Sequence, residues 1–221
     1  MHPYLKPVKK AFSLHADPVK ASGAKAYMRN QFDFYGIQTP VRRMITREII
    51  QAGLPGMDEL PMIVRDAWAQ PEREFQYFAI ELTGHMKKHW QPDMVPLFEK
   101  MITQKSWWDS VDHVASWILG PYFQKFPDQV KPVTQKWNQS ENFWLQRSSI
   151  MFQKAYRDKT DTKLLSEYIN NCKNSTEFFI QKAIGWSLRE YAKTNPKWVL
   201  TFVQKNKLPP LSKREALKNI E

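Results

Sequence analysis

A fixed interval of 35 positions separates four residues of different chemistry: Tyr77, Asp112, Arg147 and Lys182. Equivalent positions of stacked helical repeats face the same way, so one carboxylate and two cations should line one surface. Trp108 and Trp186 each lie four residues, about one helical turn, from a member of this row. A carboxylate placed there can stabilise a developing positive charge, cations can hold phosphate groups, and indole faces can pack on sugars or bases.

The same spacing allows a second interpretation. Asp112 and Arg147 could form an ion pair between neighbouring repeats that only stabilises their stacking. A buried apolar core would not accommodate Asp, Arg and Lys at equivalent positions without partners. The row is therefore either exposed to solvent or part of a pocket, and the spacing leaves both interpretations open.

Helices must carry this row. Glycine is scarce, and no alternating apolar and polar stretch predicts a strand. The longer helices begin near residues 71, 106, 141 and 176, with a shorter helix between each pair. This period predicts an all-α fold, an α-solenoid of helix-pair repeats with a concave basic groove, in a single domain over residues 1–221. The predicted helices cover residues 4–14, 18–31, 40–52, 58–69, 71–88, 92–104, 107–125, 128–137, 141–157, 161–172, 177–193, 196–206 and 211–220.

Capping residues support several of these helix starts. Asp17 and Thr39 each precede a proline. This order predicts that their side chains cap a helix whose first residue is the proline. Ser106 and Asp109 have the spacing of a capping box.

The chain is strongly basic, with a net charge of +11 and an isoelectric point near 9.6. Such an excess favours nucleic acid or an anionic membrane as the partner, although solubility alone could also explain it. The basic residues are spread along the chain, which favours a folded basic face over a disordered arm. Pairs of adjacent basic residues could follow a nucleic-acid backbone: Lys9-Lys10, Arg42-Arg43, Lys87-Lys88 and Lys213-Arg214.

Other function classes find little support. No apolar run approaches the roughly 20 residues of a membrane-spanning helix, and residues 1–14 lack the apolar core of a secretory signal. Cys172 is the only cysteine, which suits a reducing cytoplasm. His85 and His89 have the spacing of metal ligands on a helix, but no cysteine cluster accompanies them, so we expect exposed histidines and no metal.

Several long motifs resemble the AlkD family of bacterial DNA alkylation repair glycosylases, which are built of HEAT-like repeats. These motifs are Lys105-Ser-Trp-Trp-Asp-Ser-Val-Asp112, Trp144-Leu-Gln-Arg147, Glu177-Phe-Phe-Ile-Gln-Lys-Ala-Ile-Gly-Trp186, Leu188-Arg-Glu-Tyr-Ala-Lys-Thr-Asn-Pro196, Gly36-Ile-Gln-Thr-Pro40, Pro71-Glu-Arg-Glu-Phe75 and Leu211-Ser-Lys-Arg-Glu-Ala216. The resemblance covers nearly the whole chain.

The resemblance implies removal of N3- and N7-alkylated purines from duplex DNA, leaving an abasic site, without flipping the damaged base into a pocket. It implies a catalytic cleft formed by Trp108, Asp112 and Trp186, and DNA contacts near the lesion or the opposite strand from Tyr27, Gln38, Thr39 and Pro40. Cations that we expect to hold the phosphate backbone are Arg147, Lys182, Arg189, Lys213 and Arg214.

The expected chemistry needs no cofactor or metal. An alkylated purine is already cationic and leaves readily, so one carboxylate can replace the two of an ordinary glycosidase. We expect a monofunctional hydrolase of base excision repair that acts as a cytoplasmic monomer, and among the lysines Lys182 is the one to test as a nucleophile. The alternative is a non-catalytic HEAT-like DNA-binding or protein-interaction scaffold, which would have no need for Trp108, Asp112, Arg147 and Trp186 together.

Overall fold

A computed structural model describes residues 1–218 and Ile220. The chain divides into two compact units, which we call unit 1 (residues 1–91) and unit 2 (from Pro92 onward). Across the described residues every regular element is helical, apart from one isolated bridge between Asp33 and Glu72. The prediction of an all-α fold is therefore confirmed. The single domain and the concave groove stay predictions.

Unit 1 begins with an amphipathic helix that buries one face. Its helices are α1 (Leu5–Leu14), α2 (Pro18–Tyr27), α3 (Thr39–Ala52), α4 (Leu60–Ala69) and α5 (Glu74–His85). Leu5, Val8 and Phe12 recur at helical spacing along α1, and all three are buried. The Phe12 ring meets the ring of Phe75 at 5.6 Å, edge to face, which fastens α1 to α5 through an aromatic pair.

Unit 2 is a series of helix pairs. Its helices are α6 (Val95–Thr103), α7 (Trp108–His113), α8 (Gly120–Lys125), α9 (Val130–Asn138), α10 (Phe143–Met151), α11 (Thr162–Cys172), α12 (Phe178–Ala192), α13 (Pro196–Lys205) and α14 (Pro210–Leu217). One helix of each pair packs against its counterpart in the next, so that α7, α10, α12 and α14 form a row. Stacking of this kind is that of an α-solenoid, as the period of 35 residues predicts.

Buried polar side chains hold the other helices of unit 2 together. The hydroxyls of Thr134 and Tyr168 lie 2.7 Å apart, and the Asn138 amide donates to the Ser149 hydroxyl at 3.0 Å. These contacts join α9 to α10 and α11, and each buried polar group gains a partner.

The predicted helix ends differ from the structure where the backbone turns. The helix predicted over 18–31 ends at Tyr27, because Arg29 and Asn30 adopt left-handed φ angles of 53° and 57°. The helix predicted over 107–125 contains a π-helical turn at Val114–Leu119, directly before Gly120 and Pro121, where proline removes a backbone donor.

Two further helices are shorter than predicted. The helix predicted over 141–157 ends at Met151, and Arg157 has a φ of 54°. The last helix, predicted over 211–220, ends at Leu217, and residue 219 lies outside the described residues.

The capping predictions are confirmed at one site and wrong at two. The Asp17 carboxylate accepts from the backbone N–H groups of Val19 and Lys20, as predicted. Thr39 is itself the first residue of α3, and Gln38 precedes it without a capping side-chain bond. The Ser106 hydroxyl donates back to the Ile102 carbonyl at 2.6 Å, so it does not cap α7. Over the described part of the chain, the structure holds no helix with the length and apolar character needed to cross a membrane.

Candidate active site

The centre of the site is an ion pair between two neighbouring helices of the row. The Arg147 guanidinium on α10 donates from Nε to Oδ1 of Asp112 on α7 at 2.6 Å, and from Nη2 to Oδ2 at 2.8 Å. Arg147 is fully buried, whereas 16% of the Asp112 side chain is exposed. The pair therefore exposes one edge of the Asp112 carboxylate to solvent, while the buried Arg147 guanidinium holds that carboxylate in place. The geometry is bidentate, the arrangement in which arginine binds a carboxylate most strongly.

Arg147 is held from a third side as well. Its Nη1 donates to the backbone carbonyl of Phe179, in the first turn of α12. The Phe179 ring packs among Trp107 at 5.3 Å and Trp144 at 4.9 Å, which fixes that turn against α7 and α10. All three terminal nitrogens of Arg147 thus have partners inside the protein. The direct contact between Arg147 and a phosphate stays a prediction, and the structure shows the inter-repeat ion pair that the spacing also allowed.

Trp186 on α12 lies at the meeting point of four cations. The ring centre is 5.4 Å from the Arg147 guanidinium carbon, and the ammonium groups of Lys154 and Lys182 are 5.7 and 5.6 Å from it. The Arg189 guanidinium lies at 6.0 Å. Cations at these distances are attracted to the electron-rich face of the indole. The structure thus brings Trp186, Arg147, Lys182 and Arg189 together as predicted candidates, and adds Lys154.

A second carboxylate, Glu215 on α14, organises these cations. Its Oε1 accepts from Lys182 Nζ at 2.8 Å. Its Oε2 accepts from Arg189 Nη1 at 3.0 Å and from the indole Nε1 of Trp186 at 3.2 Å. Glu215 is only 8% exposed, and the hydrogen bonds from these cations hold the pKa of its carboxyl below the usual range.

Close packing of α12 and α14 makes this contact possible. A Cβ atom added to Gly185 would lie 2.5 Å from the Glu215 Cβ and 2.9 Å from the Ser212 carbonyl oxygen. The Ser212 hydroxyl donates to the Gln181 carbonyl at 2.8 Å and adds a polar tie between the same two helices. Glycine at this position therefore lets α14 approach closely enough for Glu215 to reach Trp186.

Sequence reasoning did not single out Glu215 or Lys154. Glu215 lies 33 residues after Lys182, outside the interval of 35. A usable signal was its spacing of three from Ser212, which puts both on one face of a helix. Lys154 is seven residues after Arg147, within the helix predicted over 141–157 but beyond the end of α10 in the structure.

The remaining predicted residues of unit 2 lie on the same helices. Trp108 is half-buried in the first turn of α7, one turn before Asp112. Lys213 and Arg214 are exposed on α14, directly before Glu215. The structure thus places all the predicted residues of this unit on the four helices of one row: α7, α10, α12 and α14.

The predicted residues of unit 1 have different surroundings. Tyr27 is 70% exposed at the end of α2. Gln38, Thr39 and Pro40 are exposed at the start of α3, and they line a cleft of about 580 Å³. Tyr77, the first member of the row predicted from the spacing, is half-buried under the Arg42 guanidinium, 4.9 Å from the ring centre.

The loop that carries Gln38 is fixed by a buried carboxylate. Glu74 is 2% exposed and accepts from the backbone N–H groups of Tyr35, Gly36 and Ile37 at 3.1, 2.9 and 3.3 Å. Gly36 has a φ of 82°, and a Cβ there would strike the Asp17 carbonyl, so glycine is required at this turn. Burial raises the pKa of Glu74 above its ordinary value.

His85 and His89 do not lie on one helix, although their spacing of four residues would suit two metal ligands on a helix. His85 is the last residue of α5, whereas His89 lies in the 3-10 turn that follows, and both are exposed. Among residues 1–218 and Ile220, no group of three or more His, Cys, Asp or Glu side chains is arranged to hold a metal ion.

Comparison with known proteins places the chain in a family. The family model described as DNA alkylation repair enzyme matches residues 8–220. A solved structure described as "Predicted DNA alkylation repair enzyme from Enterococcus faecalis" is 33% identical and superposes with a TM-score of 0.88, over 93% of this chain and 97% of that one. Among curated proteins, none matches. The chain therefore belongs to the family of DNA alkylation repair enzymes.

Proposed function

We propose that this protein hydrolyses the N-glycosidic bond of cationic N3- or N7-alkylated purines, such as 3-methyladenine and 7-methylguanine, in duplex DNA. The observation that carries the proposal is the half-buried Asp112 carboxylate, which is fixed by a buried arginine whose guanidinium faces the Trp186 indole. A carboxylate placed in this way is prepared for a positive charge that develops next to it, and it needs no rearrangement during the reaction.

The reaction asks little of the protein beyond charge and position. The C1′–N bond breaks with its electron pair going to the purine, which leaves as a neutral base. Positive charge then develops on the deoxyribose, where Asp112 stabilises it. Water adds to C1′, its proton passes to Asp112 or to solvent, and an abasic site results. Each Asp112 oxygen accepts one N–H from Arg147 and has further lone-pair capacity to act in these steps.

The surroundings of Asp112 suit a charged sugar on a phosphate backbone. The Trp108 and Trp186 faces favour the cationic sugar and base by roughly 0.5–2 kcal/mol each. Lys154, Lys182 and Arg189 supply cations for the phosphates. Because a cationic purine already leaves readily, the site needs no pocket around an extruded base, so we propose a reaction without base flipping.

Lysine chemistry is not needed in this scheme. The Lys182 side chain is held by the Glu215 carboxylate at 2.8 Å, whereas a Schiff-base nucleophile needs an amine that is free to attack the sugar. We therefore propose a monofunctional enzyme, one that acts as a monomer and leaves the abasic strand intact. In unit 1, the exposed Tyr27 and the turn at Gln38, Thr39 and Pro40 are proposed as further DNA contacts.

A non-catalytic DNA-binding repeat protein is the second candidate. The observation that favours it is the complete internal pairing of Arg147, which is what a purely structural ion pair between repeats would show. The exposed edge of Asp112 is what this candidate leaves without a role.

Base release from methylated duplex DNA separates the two candidates. Asp112→Asn should slow single-turnover release of 7-methylguanine by about 100-fold or more, because it removes the charge that stabilises the transition state. Affinity for the same DNA should change less than threefold.

Asp128→Asn removes an exposed carboxylate of unit 2 and is the matched control, with an unchanged rate expected. Because Asp112→Asn weakens a buried pair, the doubly neutral variant Asp112→Asn with Arg147→Gln is measured beside it, and thermal unfolding reports which variants fold. If wild type releases no methylated base, or if folded Asp112→Asn releases it at the wild-type rate, the proposed glycosylase mechanism is wrong.

A further inference from the structure

A continuous series of contacts runs from Glu215 to Asp112 through the row of helices. Glu215 accepts the indole N–H of Trp186 at 3.2 Å. The Trp186 ring lies 5.4 Å from the Arg147 guanidinium carbon, and Arg147 holds both Asp112 oxygens. Each link joins one helix of the row to another, from α14 through α12 and α10 to α7. These contacts connect Asp112 to a residue of the last helix pair.

We propose that Glu215 is a positioning residue for base release: it fixes the Trp186 indole, and through it the Arg147–Asp112 pair, and it holds Lys182 and Arg189 back from full engagement with phosphates. This inference rests on the proposed glycosylase function and extends it to a residue that touches neither the sugar nor the base.

The hydrogen bond to Glu215 decides how the Trp186 ring is turned. An indole can rotate about the bond that joins it to Cβ, and its N–H is its single donor. With the N–H fixed on Glu215, the ring presents its face to the Arg147 guanidinium. A ring turned out of this orientation would lose its attraction for the guanidinium.

The negative charge of Glu215 has a second effect: it weakens DNA binding, whereas the positioning role favours base release. Four cations surround Trp186. Asp112 pairs with one of them, Arg147, and Glu215 pairs with Lys182 and Arg189. Glu215 is buried and keeps a low pKa through its bonds to Lys182 and Arg189, so it stays ionised at neutral pH. Lys182 and Arg189 are still about a quarter exposed, so the loss of Glu215 would free them for DNA phosphates.

Positioning and charge therefore predict opposite changes in catalysis and in binding. In Glu215→Gln, Lys182, Trp186 and Arg189 compete for the single oxygen of the amide. The amide NH₂ group cannot accept a hydrogen bond and is repelled by the cations. Single-turnover release of 7-methylguanine should slow by about tenfold, as expected for a small misplacement of catalytic groups. Affinity for the same duplex should be equal or up to about threefold higher, with a steeper dependence on salt, because freed cations reach phosphates.

A double-mutant cycle shows whether Glu215 acts through the indole. Trp186→Phe removes the N–H and keeps an aromatic ring. In that background, Glu215→Gln should change the release rate by less than twofold. Fluorine NMR of protein labelled with 5-fluorotryptophan gives a readout that is independent of activity: the resonance lost in Trp186→Phe should shift in Glu215→Gln.

Glu190→Gln is the matched control. It lies on α12 and, like Glu215, its carboxylate holds a lysine, here Lys193 at 2.7 Å. It should leave both the release rate and the Trp186 resonance unchanged. Should Glu215→Gln fail to fold, Glu215→Asp keeps the charge and withdraws the carboxylate by one methylene, so it tests the positioning role by the same release rate and Trp186 resonance.

The outcomes separate this inference from the proposed function. If wild type releases no methylated base, the proposed glycosylase function fails, whatever the resonance of Trp186 shows. If wild type is active and folded Glu215→Gln releases base at the same rate, the positioning role is wrong. It is also wrong if the tenfold loss persists in the Trp186→Phe background, because Glu215 would then act by another route.

Discussion

Two buried carboxylates, one in each unit, accept hydrogen bonds from different kinds of donor. Glu74 in unit 1 and Glu215 in unit 2 are 2% and 8% exposed, and each accepts three hydrogen bonds. The donors of Glu74 are neutral backbone N–H groups of one loop. Those of Glu215 are two cations and an indole on α12.

The charge of the donors decides how each carboxylate behaves. Burial raises the pKa of Glu74, because neutral donors offset only part of the lost hydration. The hydrogen bond from Lys182 is the largest of several contacts that lower the pKa of Glu215. Burial alone therefore does not mark a functional carboxylate. Glu74 shapes a loop, whereas Glu215 organises side chains of the proposed active site.

The largest expected difference between the two lies in stability. Glu74→Ala leaves three backbone N–H groups without an acceptor in the buried loop, and should lower the free energy of unfolding by about 3 kcal/mol or more. Glu215→Ala should cost only about 1 kcal/mol, because Lys182 and Arg189 can turn toward water. Urea unfolding of both variants measures the difference, and a larger loss in Glu215→Ala would reverse the comparison.

Glycine substitutions give the next largest effect and sharpen the contrast between the units. Gly185→Ala places a methyl group against Glu215 and Ser212, and should destabilise the protein by about 1–3 kcal/mol. Gly23→Ala in α2 of unit 1 meets nothing within 4 Å and should stabilise it by about 0.5–1 kcal/mol, because alanine is the better helix former. Thermal unfolding tests both signs, and a stabilising Gly185→Ala would contradict the close approach of α12 and α14.

The pH dependence of stability should be the smallest effect, with opposite signs for the two carboxylates. Glu74 has a raised pKa, so its contribution is present below its ordinary value of 4.5 and is lost as pH rises through the folded-state pKa. Glu215 has a lowered pKa, so its contribution is present above 4.5 and is lost as pH falls through the folded-state pKa.

Urea unfolding of wild type, Glu74→Gln and Glu215→Gln from about pH 7 to about pH 3.5 measures these contributions. Acidification should favour wild type over Glu74→Gln, and it should reduce the advantage of wild type over Glu215→Gln. Parallel curves for all three proteins would show that donor charge does not distinguish the two sites.

Much of the fold follows from local patterns in the sequence. Helix-start signals and the period of 35 residues predict nearly every helix. The same interval allows an ion pair between Asp112 and Arg147 across neighbouring helices, and the structure shows that pair. The errors in helix geometry fall where the backbone leaves regular α-helix: the π-helical turn before Pro121, and the left-handed residues Arg29 and Arg157. Such turns depend on single dihedral angles and contacts that periodicity does not encode.

The sequence by itself determined the helices, the register and the presence of a carboxylate among cations and indoles, because these depend on spacing along one helix or one repeat. The tertiary structure decided the pairing: Arg147 turns inward to Asp112, and Glu215 takes Lys182, Arg189 and Trp186. The physical reason is that pairing depends on the distance between helices. That distance is set here by contacts such as Gly185 against α14, which bring together residues outside the repeat interval.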